Sequence, residues 1–369
     1  MIFHPSPLCG TLTLPESKSL QHRELIAGFL SGEFSLPENA CDDVQATFEG
    51  LCTLRQGGKE VNCRESGSTL RFLLPLAAAL GRTEVTFSGR GSLLHRPLPY
   101  PLPLQRTPQG YRLREALKSG RFVVDSAQTS QIISGLLMAL PLLPGDSSIM
   151  LTKKPVSQGY ITMTQKVLHR HGITILPVQS GFHIPGNQKY QASPPLIEGD
   201  WSAACWYALF CPRVTLKNVS PASCQPDVKV LDYVNRLPSE IDIAPTPDLL
   251  PALALAAALH DGQTTLFTGG AFLRGKESDR LHTTAETLLA LGGQVRESSD
   301  GLCITGVRRL HGGQVTTWGD HRIALLAAFA SLFCENPVIV DDMRCIEKSY
   351  PQFLRDFIRL GGKVEDRSL

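Results

Sequence analysis

Cationic and hydroxyl side chains cluster at several points where an apolar run of the chain begins. The first cluster is Glu16-Ser17-Lys18-Ser19, and Arg23 lies five residues after Lys18. If a helix begins near Ser19, Lys18 lies at its start and Arg23 lies about one turn inside. Two cations and a hydroxyl group then surround one small volume, where charge-assisted hydrogen bonds would hold a phosphate. The spacing therefore predicts a phosphate site.

A second cluster carries five charges within the seven residues from Arg274 to Arg280 and leads into an amphipathic run. Glu277 and Arg280 are three residues apart, which predicts that they share one face of a helix. A solvated helix start would also explain the charges. Gly275 favours a tight backbone beside them and hence a binding role.

The third group combines Gly319-Asp320-His321-Arg322 with Lys348, near the C-terminal end of the chain. A lone histidine such as His321 is more often a core or surface residue than a catalyst. His321 is of interest because Arg322 follows it directly at the start of an apolar run.

These clusters belong to a weak internal repeat of a polar segment, an apolar helical run, a turn and a β-rich segment. The polar segments are 16–19, 65–69, 129–131, 198–200, 247–248 and 319–322. The apolar runs are 20–30, 70–80, 132–143, 202–210, 249–259 and 323–333, and strands are predicted over 84–87, 148–151, 264–267 and 337–340. Runs that are apolar on nearly every side predict buried helices. Amphipathic helices predicted over 162–171, 283–291 and 353–360 are each followed by glycine, a helix stop signal. We expect α/β or α+β layers with three units in each half.

If the buried helices run parallel, their N-termini meet in one region, where free N–H groups and the helix dipole favour anions. Ordinary N-capping by Ser, Thr and Asp would explain each polar segment alone. Capping does not require Lys18, Arg71, Gln131 or the pair His321-Arg322. Taken together, the segments therefore favour an anion site.

The composition limits the classes of protein that the chain can represent. With 369 residues it predicts two domains, and 42% hydrophobic with 19% charged residues indicates a folded globular protein. A net charge of +2 argues against general nucleic-acid binding. The ten cysteines have no C-x-x-C spacing, no signal peptide is evident, and no apolar run could cross a bilayer. We expect a cytoplasmic protein.

Seven short motifs along the chain occur in the order found in one enzyme family. They are Lys18-Ser19 with Arg23, Ser66-Gly67-Ser68 with Arg71, Thr129-Ser130-Gln131, Pro247-Asp248, the segment 276–280 (Lys-Glu-Ser-Asp-Arg), Asp320-His321-Arg322 and the segment 348–351 (Lys-Ser-Tyr-Pro). The chain therefore resembles the 5-enolpyruvylshikimate-3-phosphate (EPSP) synthases. Lys-Glu-Ser-Asp-Arg followed about 40 residues later by Asp-His-Arg is the most specific part of the resemblance.

The resemblance implies a two-domain inside-out α/β barrel, in which each domain has three βαβαββ units with buried parallel helices. One domain would span 17–199, on the side that mainly binds shikimate 3-phosphate. The other would combine 1–16 with 200–369. The active site of the family lies where helix ends of both domains face each other.

The resemblance further implies transfer of the enolpyruvyl group of phosphoenolpyruvate to the 5-hydroxyl group of shikimate 3-phosphate, with release of phosphate. The shikimate 3-phosphate ligands would be Lys18, Ser19, Arg23, Thr129, Ser130, Gln131, Ser157, Tyr160, Asp248 and Lys276. Those of phosphoenolpyruvate would be Lys18, Gly67, Arg96, Gln131, Arg280, Arg322 and Lys348.

The same resemblance assigns the acid and base groups. Asp248 would take the proton of the hydroxyl group, Glu277 and Lys348 would exchange a proton with the methylene carbon, and Lys18 would contact both substrates. Because Asp248 precedes an apolar run, we expect partial desolvation to raise its pKa. No metal, organic cofactor, nucleic acid or membrane partner is expected, and a monomer is predicted.

Three features depart from the family pattern. Glu65 replaces the usual Asn before the Gly67 segment, and Phe272 replaces an Asn that would bond the shikimate phosphate. The stretch from Arg96 to Asp125 is compressed, with proline at 97, 99, 101 and 103 where a helix is usual. These departures leave open a slower enzyme or a decayed homologue.

Three alternatives remain beside this reading. A UDP-N-acetylglucosamine enolpyruvyl transferase would have Lys-Asn in place of Lys18-Ser19 and a loop cysteine as general acid, for which Cys63 is the nearest candidate. A non-catalytic substrate-binding homologue would explain Glu65 and Phe272. An RNA-end-processing enzyme of related fold is disfavoured by the small net charge.

Overall fold

The computed structural model describes residues 1–96, 98 and 101–366, and its chain divides into two compact units. The middle unit is Lys18–Ile197, and the terminal unit combines Met1–Ser17 with the chain from Glu198 onward. The predicted boundaries, 17–199 and 1–16 with 200–369, lie within two residues of this division. Which substrate each unit binds stays a prediction.

Ten α-helices lie in the described part of the chain. They are α1 (Lys18–Ser31), α2 (Asp42–Arg55), α3 (Gly67–Ala79), α4 (Gln131–Ala139), α5 (Gln158–Arg170), α6 (Trp201–Phe210), α7 (Leu250–Ala258), α8 (Arg280–Ala290), α9 (His321–Ala330) and α10 (Phe353–Arg359). All six predicted buried helices and all three predicted amphipathic helices are present. Helix α2 was missed, although its buried residues Val44, Thr47, Leu51 and Leu54 follow helical spacing.

The strands are short and number eighteen among the described residues. They are β1 (Ile2–His4), β2 (Gly10–Thr13), β3 (Glu60–Asn62), β4 (Thr86–Ser88), β5 (Leu104–Thr107), β6 (Gly110–Leu113), β7 (Arg121–Val124), β8 (Ser147–Leu151), β9 (Leu176–Val178), β10 (Gly181–Ile184), β11 (Val214–Lys217), β12 (Glu240–Asp242), β13 (Thr264–Thr268), β14 (Gln294–Glu297), β15 (Leu302–Thr305), β16 (Gly313–Val315), β17 (Val338–Val340) and β18 (Lys363–Glu365). The four predicted strand segments coincide with β4, β8, β13 and β17 to within two residues.

Four four-stranded sheets repeat one topology, in which a parallel pair is extended by two antiparallel strands. Their orders are β3-β4-β6-β5, β7-β8-β10-β9, β12-β13-β15-β14 and β16-β17-β1-β18. Parallel neighbours require a crossover connection, and α3, α4, α7 and α9 supply these connections in turn. The N-terminal strand β1 completes the last sheet by pairing Ile2 with Ile339 and Phe3 with Val338.

The six repeats are unequal in completeness. Two of them, β7-α4-β8-α5-β9-β10 and β12-α7-β13-α8-β14-β15, have the full βαβαββ order. In the repeat from β3 to β6, a 3-10 helix over Gly91–His95 stands where the second helix is expected. Strands β2 and β11 form a separate parallel pair. Helices α1 and α2 have no sheet of their own among the described residues. Only eleven residues join α2 to α3, and within them lies β3, which belongs to the next repeat.

The compressed stretch after Arg96 forms strands β5 and β6 rather than a helix. Pro97 and Pro99 of the predicted helix-breaking series lie outside the described residues. Pro101 and Pro103 precede β5, where a missing N–H group is tolerated.

The crossover helices are buried because they are apolar around their whole circumference. In α4 every residue except Gln131 is buried, and α9 is buried along its full length. The amphipathic helices α5 and α8 cover this core and end before Gly172 and Gly292, both with positive φ. No helix within the described residues has the length and apolar character needed to cross a membrane.

Candidate active site

One group of the predicted site residues lies at the helix starts of the middle unit. The ammonium group of Lys18, in the first turn of α1, lies 2.9 Å from Asp43 Oδ2, in the first turn of α2. Both side chains are largely buried. This contact fixes the Lys18 ammonium group at the common end of the two helices.

Arg23 lies about one turn further along α1, and its side chain donates hydrogen bonds to backbone carbonyl groups of both α1 and α5. Its guanidinium group donates to the carbonyl oxygen of Ser19 at 2.6 Å and to that of Tyr160 at 3.1 Å. It also donates to Thr164 Oγ1 at 2.8 Å and lies over the ring of Phe72. Arg23 therefore joins α1 to α5, which brings Ser19 and Tyr160 together as predicted site residues.

Gly67, the first residue of α3, lies in a cradle of polar side chains. A Cβ atom placed on Gly67 would lie 2.6 Å from Arg71 Nη1, 3.1 Å from Arg96 Nη1 and 3.5 Å from Gln131 Oε1. Arg71 donates to Gln131 Oε1 at 3.0 Å, and Gln131 donates in turn to Ser68 Oγ at 3.0 Å. Two guanidinium groups beside a helix N-terminus form a site suited to an anion.

Three of these residues were predicted as ligands, and Arg71 was named at its helix start without a ligand role. Arg71 is buried and its Nη1 atom is nearer to the Gly67 position than that of Arg96. The motif spacing of Ser66-Gly67 and Arg71 already contained the signal, because a helix places residues four apart on one face.

The remaining predicted ligands of the middle unit occupy the starts of α4 and α5. Thr129 Oγ1 accepts a hydrogen bond from the Gln131 amide at 3.1 Å, and Ser130 is buried beside it. Ser157 precedes α5 with φ of 55°, in the left-handed region. A buried non-glycine residue in that conformation is strained, and such strain is concentrated at functional sites.

A buried chain of hydroxyl groups ties the starts of α1, α2 and α3 together. Thr69 Oγ1 forms hydrogen bonds with Ser66 Oγ and with Thr47 Oγ1, at 2.7 Å each. It also lies 3.2 Å from the carbonyl oxygen of Asp43. Thr47 Oγ1 lies 2.8 Å from His22 Nδ1. Burial and the cations Lys18 and Arg23 lower the pKa of His22 well below its ordinary value, so the ring is neutral.

Another group of the predicted site residues lies in the terminal unit and centres on Arg280, which is fully buried at the start of α8. Its guanidinium group contacts Asp248 Oδ1 at 2.8 Å, Glu277 Oε2 at 2.5 Å and Asp320 Oδ2 at 3.0 Å. Burial opposes the charge of Arg280, but Asp320, Glu277 and Asp248 outweigh burial and raise its pKa further. Arg280 therefore holds three carboxylates in fixed positions.

The prediction that Glu277 and Arg280 share a helical face was wrong in its geometry. Asp279 accepts a hydrogen bond from the His282 amide and so caps the helix, which begins only at Arg280. Glu277 lies in the preceding turn and reaches Arg280 from there. The ion pair forms, but the turn positions it.

Asp248 lies between two arginines, which reverses the expected shift of its pKa. Arg322 Nη2 lies 3.2 Å from Asp248 Oδ2, while Arg280 contacts Oδ1. Burial alone would raise the pKa of Asp248, as the sequence predicted, but Arg322 and Arg280 outweigh burial and lower it. Asp248 is therefore a carboxylate, and an anion that draws these arginines away would make it a stronger base.

The remaining cations of this group are Lys348, at the end of the 3-10 helix Arg344–Lys348, and Lys276, in the bend before α8. Lys348 donates to the Gly319 carbonyl oxygen at 3.0 Å, directly before Asp320. Lys276 lies over the ring of Phe272, 5.5 Å from its centroid. Phe272 thus supports the lysine through a cation–π contact, although it cannot donate the hydrogen bond of the usual Asn.

Sequence reasoning missed one buried acid beside this group, Asp227, in the 3-10 helix Pro226–Asp232. Ser202 Oγ donates to Asp227 Oδ2, and the Ser202 carbonyl oxygen accepts from Arg322 Nη1 at 3.3 Å. Burial and the Asp248 carboxylate raise the pKa of Asp227 to about 7. The segment Gln225-Pro226-Asp227 reads as an ordinary turn and gave no signal.

Two residues that raised doubts in the sequence have defined surroundings. The carboxyl group of Glu65 packs against Gly91, the first residue of the 3-10 helix Gly91–His95, where a Cβ atom would lie 2.9 Å from Glu65 Cδ and φ is 57°. Cys63 is buried, and burial raises its pKa well above the ordinary value. A buried thiol with a raised pKa is poorly suited to the general-acid role of a loop cysteine.

Comparison with known proteins decides which family this arrangement represents. The family model described as EPSP synthase (3-phosphoshikimate 1-carboxyvinyltransferase) matches residues 2–237 and 234–357. The chain belongs to the EPSP synthase family. It is 36% identical over 422 aligned positions to the 3-phosphoshikimate 1-carboxyvinyltransferase of Clostridium acetobutylicum, covering 99% of this chain and 98% of that protein. For the Clostridioides difficile protein of the same name, the identity is 33%, with 98% of each chain covered.

The EPSP synthase fold is also evident from structural similarity. The 2.37 Å structure of EPSP synthase from Acinetobacter baumannii matches with a TM-score of 0.74 and 20% identity, and 99% of each chain is covered. The two-domain α/β class predicted from the sequence is confirmed. The alignment with the C. acetobutylicum protein spans 422 positions against 369 residues here, so this EPSP synthase family member aligns with at least 53 gap positions.

Each predicted site residue of this EPSP synthase family member falls into one of the two groups. In the middle unit lie Lys18, Ser19, Arg23, Gly67, Arg96, Thr129, Ser130, Gln131, Ser157 and Tyr160. In the terminal unit lie Asp248, Lys276, Glu277, Arg280, Arg322 and Lys348. That both groups serve one cleft, and the role of each residue, stay predictions. Within the described residues, no group of three or more His, Cys, Asp or Glu could hold a metal ion.

Proposed function

We propose that this EPSP synthase family member transfers the enolpyruvyl group of phosphoenolpyruvate to the 5-hydroxyl group of shikimate 3-phosphate, as the names of its relatives indicate. The observation that carries the proposal is the carboxylate of Asp248 held between the buried guanidinium groups of Arg280 and Arg322. A base beside two anion-binding arginines is what addition of a hydroxyl group to an anionic enol requires.

The first step is an addition. Asp248 takes the proton of the hydroxyl group, its oxygen bonds to the enol carbon, and Lys348 or Glu277 gives a proton to the methylene carbon. The resulting tetrahedral intermediate keeps the phosphate. In the second step, phosphate leaves with its bonding pair and the methyl group returns a proton, which restores the enol ether. No oxidant or metal is needed for this balance.

The binding roles follow from charge. Phosphoenolpyruvate carries a phosphate and a carboxylate, and we assign it Lys18, Gly67, Arg96, Gln131, Arg280, Arg322 and Lys348. The cradle at Gly67 supports this assignment, since its arginine Nη1 atoms lie where a side chain at that position would collide. We add Arg71 to this group for the same reason.

Shikimate 3-phosphate is assigned to the hydroxyl and amide groups at the starts of α1, α4 and α5, together with Asp248 and Lys276. The residues from the helix starts are Lys18, Ser19, Arg23, Thr129, Ser130, Gln131, Ser157 and Tyr160. The strained backbone of Ser157 and the fixed guanidinium group of Arg23 support a preformed polyol and phosphate site. On this basis, the middle unit mainly binds shikimate 3-phosphate.

The alternatives have less support. The transfer to a UDP-sugar would need an exposed acidic thiol, and Cys63 is buried. A non-catalytic binder was prompted by Glu65 and Phe272, but Glu65 packs against Gly91 and Phe272 contacts Lys276.

The test is product formation. The purified chain is incubated with both substrates, and the products are identified by mass spectrometry and phosphorus NMR. We expect a product heavier than shikimate 3-phosphate by one enolpyruvyl group, together with inorganic phosphate. Binding of both substrates by calorimetry without this product would instead establish a binding homologue.

We further propose that the enzyme works as a monomer in the cytoplasm. All ten cysteines are free, which is consistent with a reducing compartment. Sedimentation equilibrium across a range of concentrations would test the monomer, and a mass of twice the chain would contradict it.

A further inference from the structure

Asp227 is a buried acid that the proposed chemistry does not use. Its residue surface is 1% exposed, and Ser202 Oγ donates to its Oδ2 atom. The same Ser202 accepts a bond from Arg322 through its carbonyl oxygen. Asp227 therefore lies directly behind the arginine that we assign to phosphoenolpyruvate.

The charged and titratable groups that face Asp227 come from three elements. Asp200 and Cys205 belong to α6 and its cap, Asp248 to the 3-10 helix Pro247–Leu249, and Arg322 to α9. Arg322 is a cation that acts on Asp227, and it is shared with Asp248. Two further acids oppose ionisation of Asp227.

The wider group leaves no excess positive charge for an ionised Asp227. Its other carboxylates are Asp200, Asp248, Glu277 and Asp320, and its cations are Lys276, Arg280, Arg322 and Lys348. A phosphorylated carboxylate that binds to Arg322 and Lys348 adds two or more negative charges. Because Coulomb interactions are strong where water is excluded, this addition favours uptake of a proton nearby.

We propose that Asp227 is the group that takes up this proton, so that binding of phosphoenolpyruvate is coupled to neutralisation of Asp227 behind Arg322. The inference rests on the proposed function. Asp227 acts as a positioning residue: when neutral, it leaves the charge of Arg322 available to the substrate. When ionised, it competes with the substrate for that charge.

The sign of the pH dependence follows from linkage. The free protein holds Asp227 protonated below pH of about 7 and ionised above it. An anion bound at Arg322 raises the pKa of Asp227 further, so binding is unaffected at low pH and weakens as the pH rises above 7. The limiting slope is tenfold per pH unit, and with a pKa of about 7 binding at pH 8.5 is weaker than at low pH by about 30-fold.

The experiment compares the KM for phosphoenolpyruvate of the wild-type chain and of Asp227→Asn between pH 5.5 and 8.5. The variant is permanently neutral at this position and nearly unchanged in shape. Taking the ratio of the two KM values cancels the titration of the substrate phosphate, because both proteins see the same substrate. Asp232→Asn, an exposed position at the end of the same 3-10 helix, is the matched control.

We expect a KM ratio, wild type over Asp227→Asn, near one at pH 6 and rising by roughly tenfold or more by pH 8.5, with kcat changed far less. The control should keep a ratio of one throughout. A ratio that stays flat in an active Asp227→Asn enzyme overturns the inference and leaves the proposed function intact.

A second variant keeps the test open if Asp227→Asn does not fold. The Ser202 hydroxyl group lowers the pKa of Asp227 by its hydrogen bond, so Ser202→Ala should move the rise in KM to higher pH. An unmoved profile would contradict the inference.

If the chain binds phosphoenolpyruvate without turnover, calorimetry at pH 7.5 in two buffers of different ionisation enthalpy reads the proton uptake directly. The proposed function then fails, while a proton uptake that Asp227→Asn removes supports the inference. Absence of any phosphoenolpyruvate binding overturns both.

Discussion

The substitution Asp248→Asn removes the proposed base with the least change in shape. The carboxylate accepts from Arg280 Nη1 at 2.8 Å and lies 3.2 Å from Arg322 Nη2. Asparagine keeps one acceptor oxygen for one of these arginines and cannot take a proton. General base catalysis contributes about 10²–10⁴ in rate, so turnover should fall by that factor, about 3–5 kcal/mol in the activation free energy.

The cost in stability should be smaller. Arg280 keeps Asp320 and Glu277 after the substitution, and Arg322 keeps the carbonyl oxygen of Ser202. We expect a loss of about 1–3 kcal/mol in the free energy of unfolding, typical of one weakened charged hydrogen bond. Because Arg322 and Arg280 lower the pKa of Asp248, its stabilising effect is complete above the unfolded pKa, near 4, and is lost as the pH falls below that value.

The assay is single-turnover phosphate release at saturating substrates, with urea unfolding at pH 7 and pH 3 as the stability measurement. Asp232→Asn, exposed in the same unit, serves as control. Wild-type rates in Asp248→Asn would remove Asp248 from the mechanism. A variant that unfolds without cooperativity would show that Asp248 is structural, which would equally refute the reasoning.

Three further substitutions test the two groups separately. Gly67→Ala places a methyl group 2.6 Å from Arg71 Nη1, so the KM for phosphoenolpyruvate should rise about tenfold or more at nearly unchanged unfolding free energy. An unchanged KM would show that the polar side chains around Gly67 do not bind phosphoenolpyruvate. Arg322→Ala should weaken phosphoenolpyruvate far more than shikimate 3-phosphate, and equal weakening would mean that Arg322 has been assigned to the wrong substrate. Thr69→Val removes hydroxyl contacts that include the Asp43 carbonyl oxygen, so urea unfolding should show a loss of about 1–3 kcal/mol; an unchanged midpoint would show that the hydroxyl chain adds no stability.

The helices could be predicted because their sequence pattern is local. Runs such as 249–259 are apolar on every side, and a helix of this kind is stable only when its whole surface is buried. Side chains cap the starts of α3, α6, α8 and α9, as with Asp320, which accepts from the Arg322 amide. Helix α2 is not apolar on every side and was missed, although it supplies Asp43, the partner of Lys18.

The electrostatics of the site could not be predicted in the same way. Asp248 meets Arg280 and Arg322 across 32 and 74 residues of sequence, and its pKa depends on those contacts more than on the apolar run that follows. Asp227 was missed for a related reason, since its burial depends on packing of Pro226–Asp232 against α6. The contact between Glu277 and Arg280 was predicted correctly. The prediction that both residues lie on one helix was wrong, because Asp279 caps the helix and Glu277 precedes it.

The central claim is that this chain joins two phosphorylated small molecules and releases phosphate. The most direct measurement is inorganic phosphate release by the purified protein given phosphoenolpyruvate and shikimate 3-phosphate, and then each substrate alone. We predict phosphate only when both are present, in equal amount to the enol ether formed. No phosphate from the complete mixture, or the same rate with phosphoenolpyruvate alone, would contradict the account.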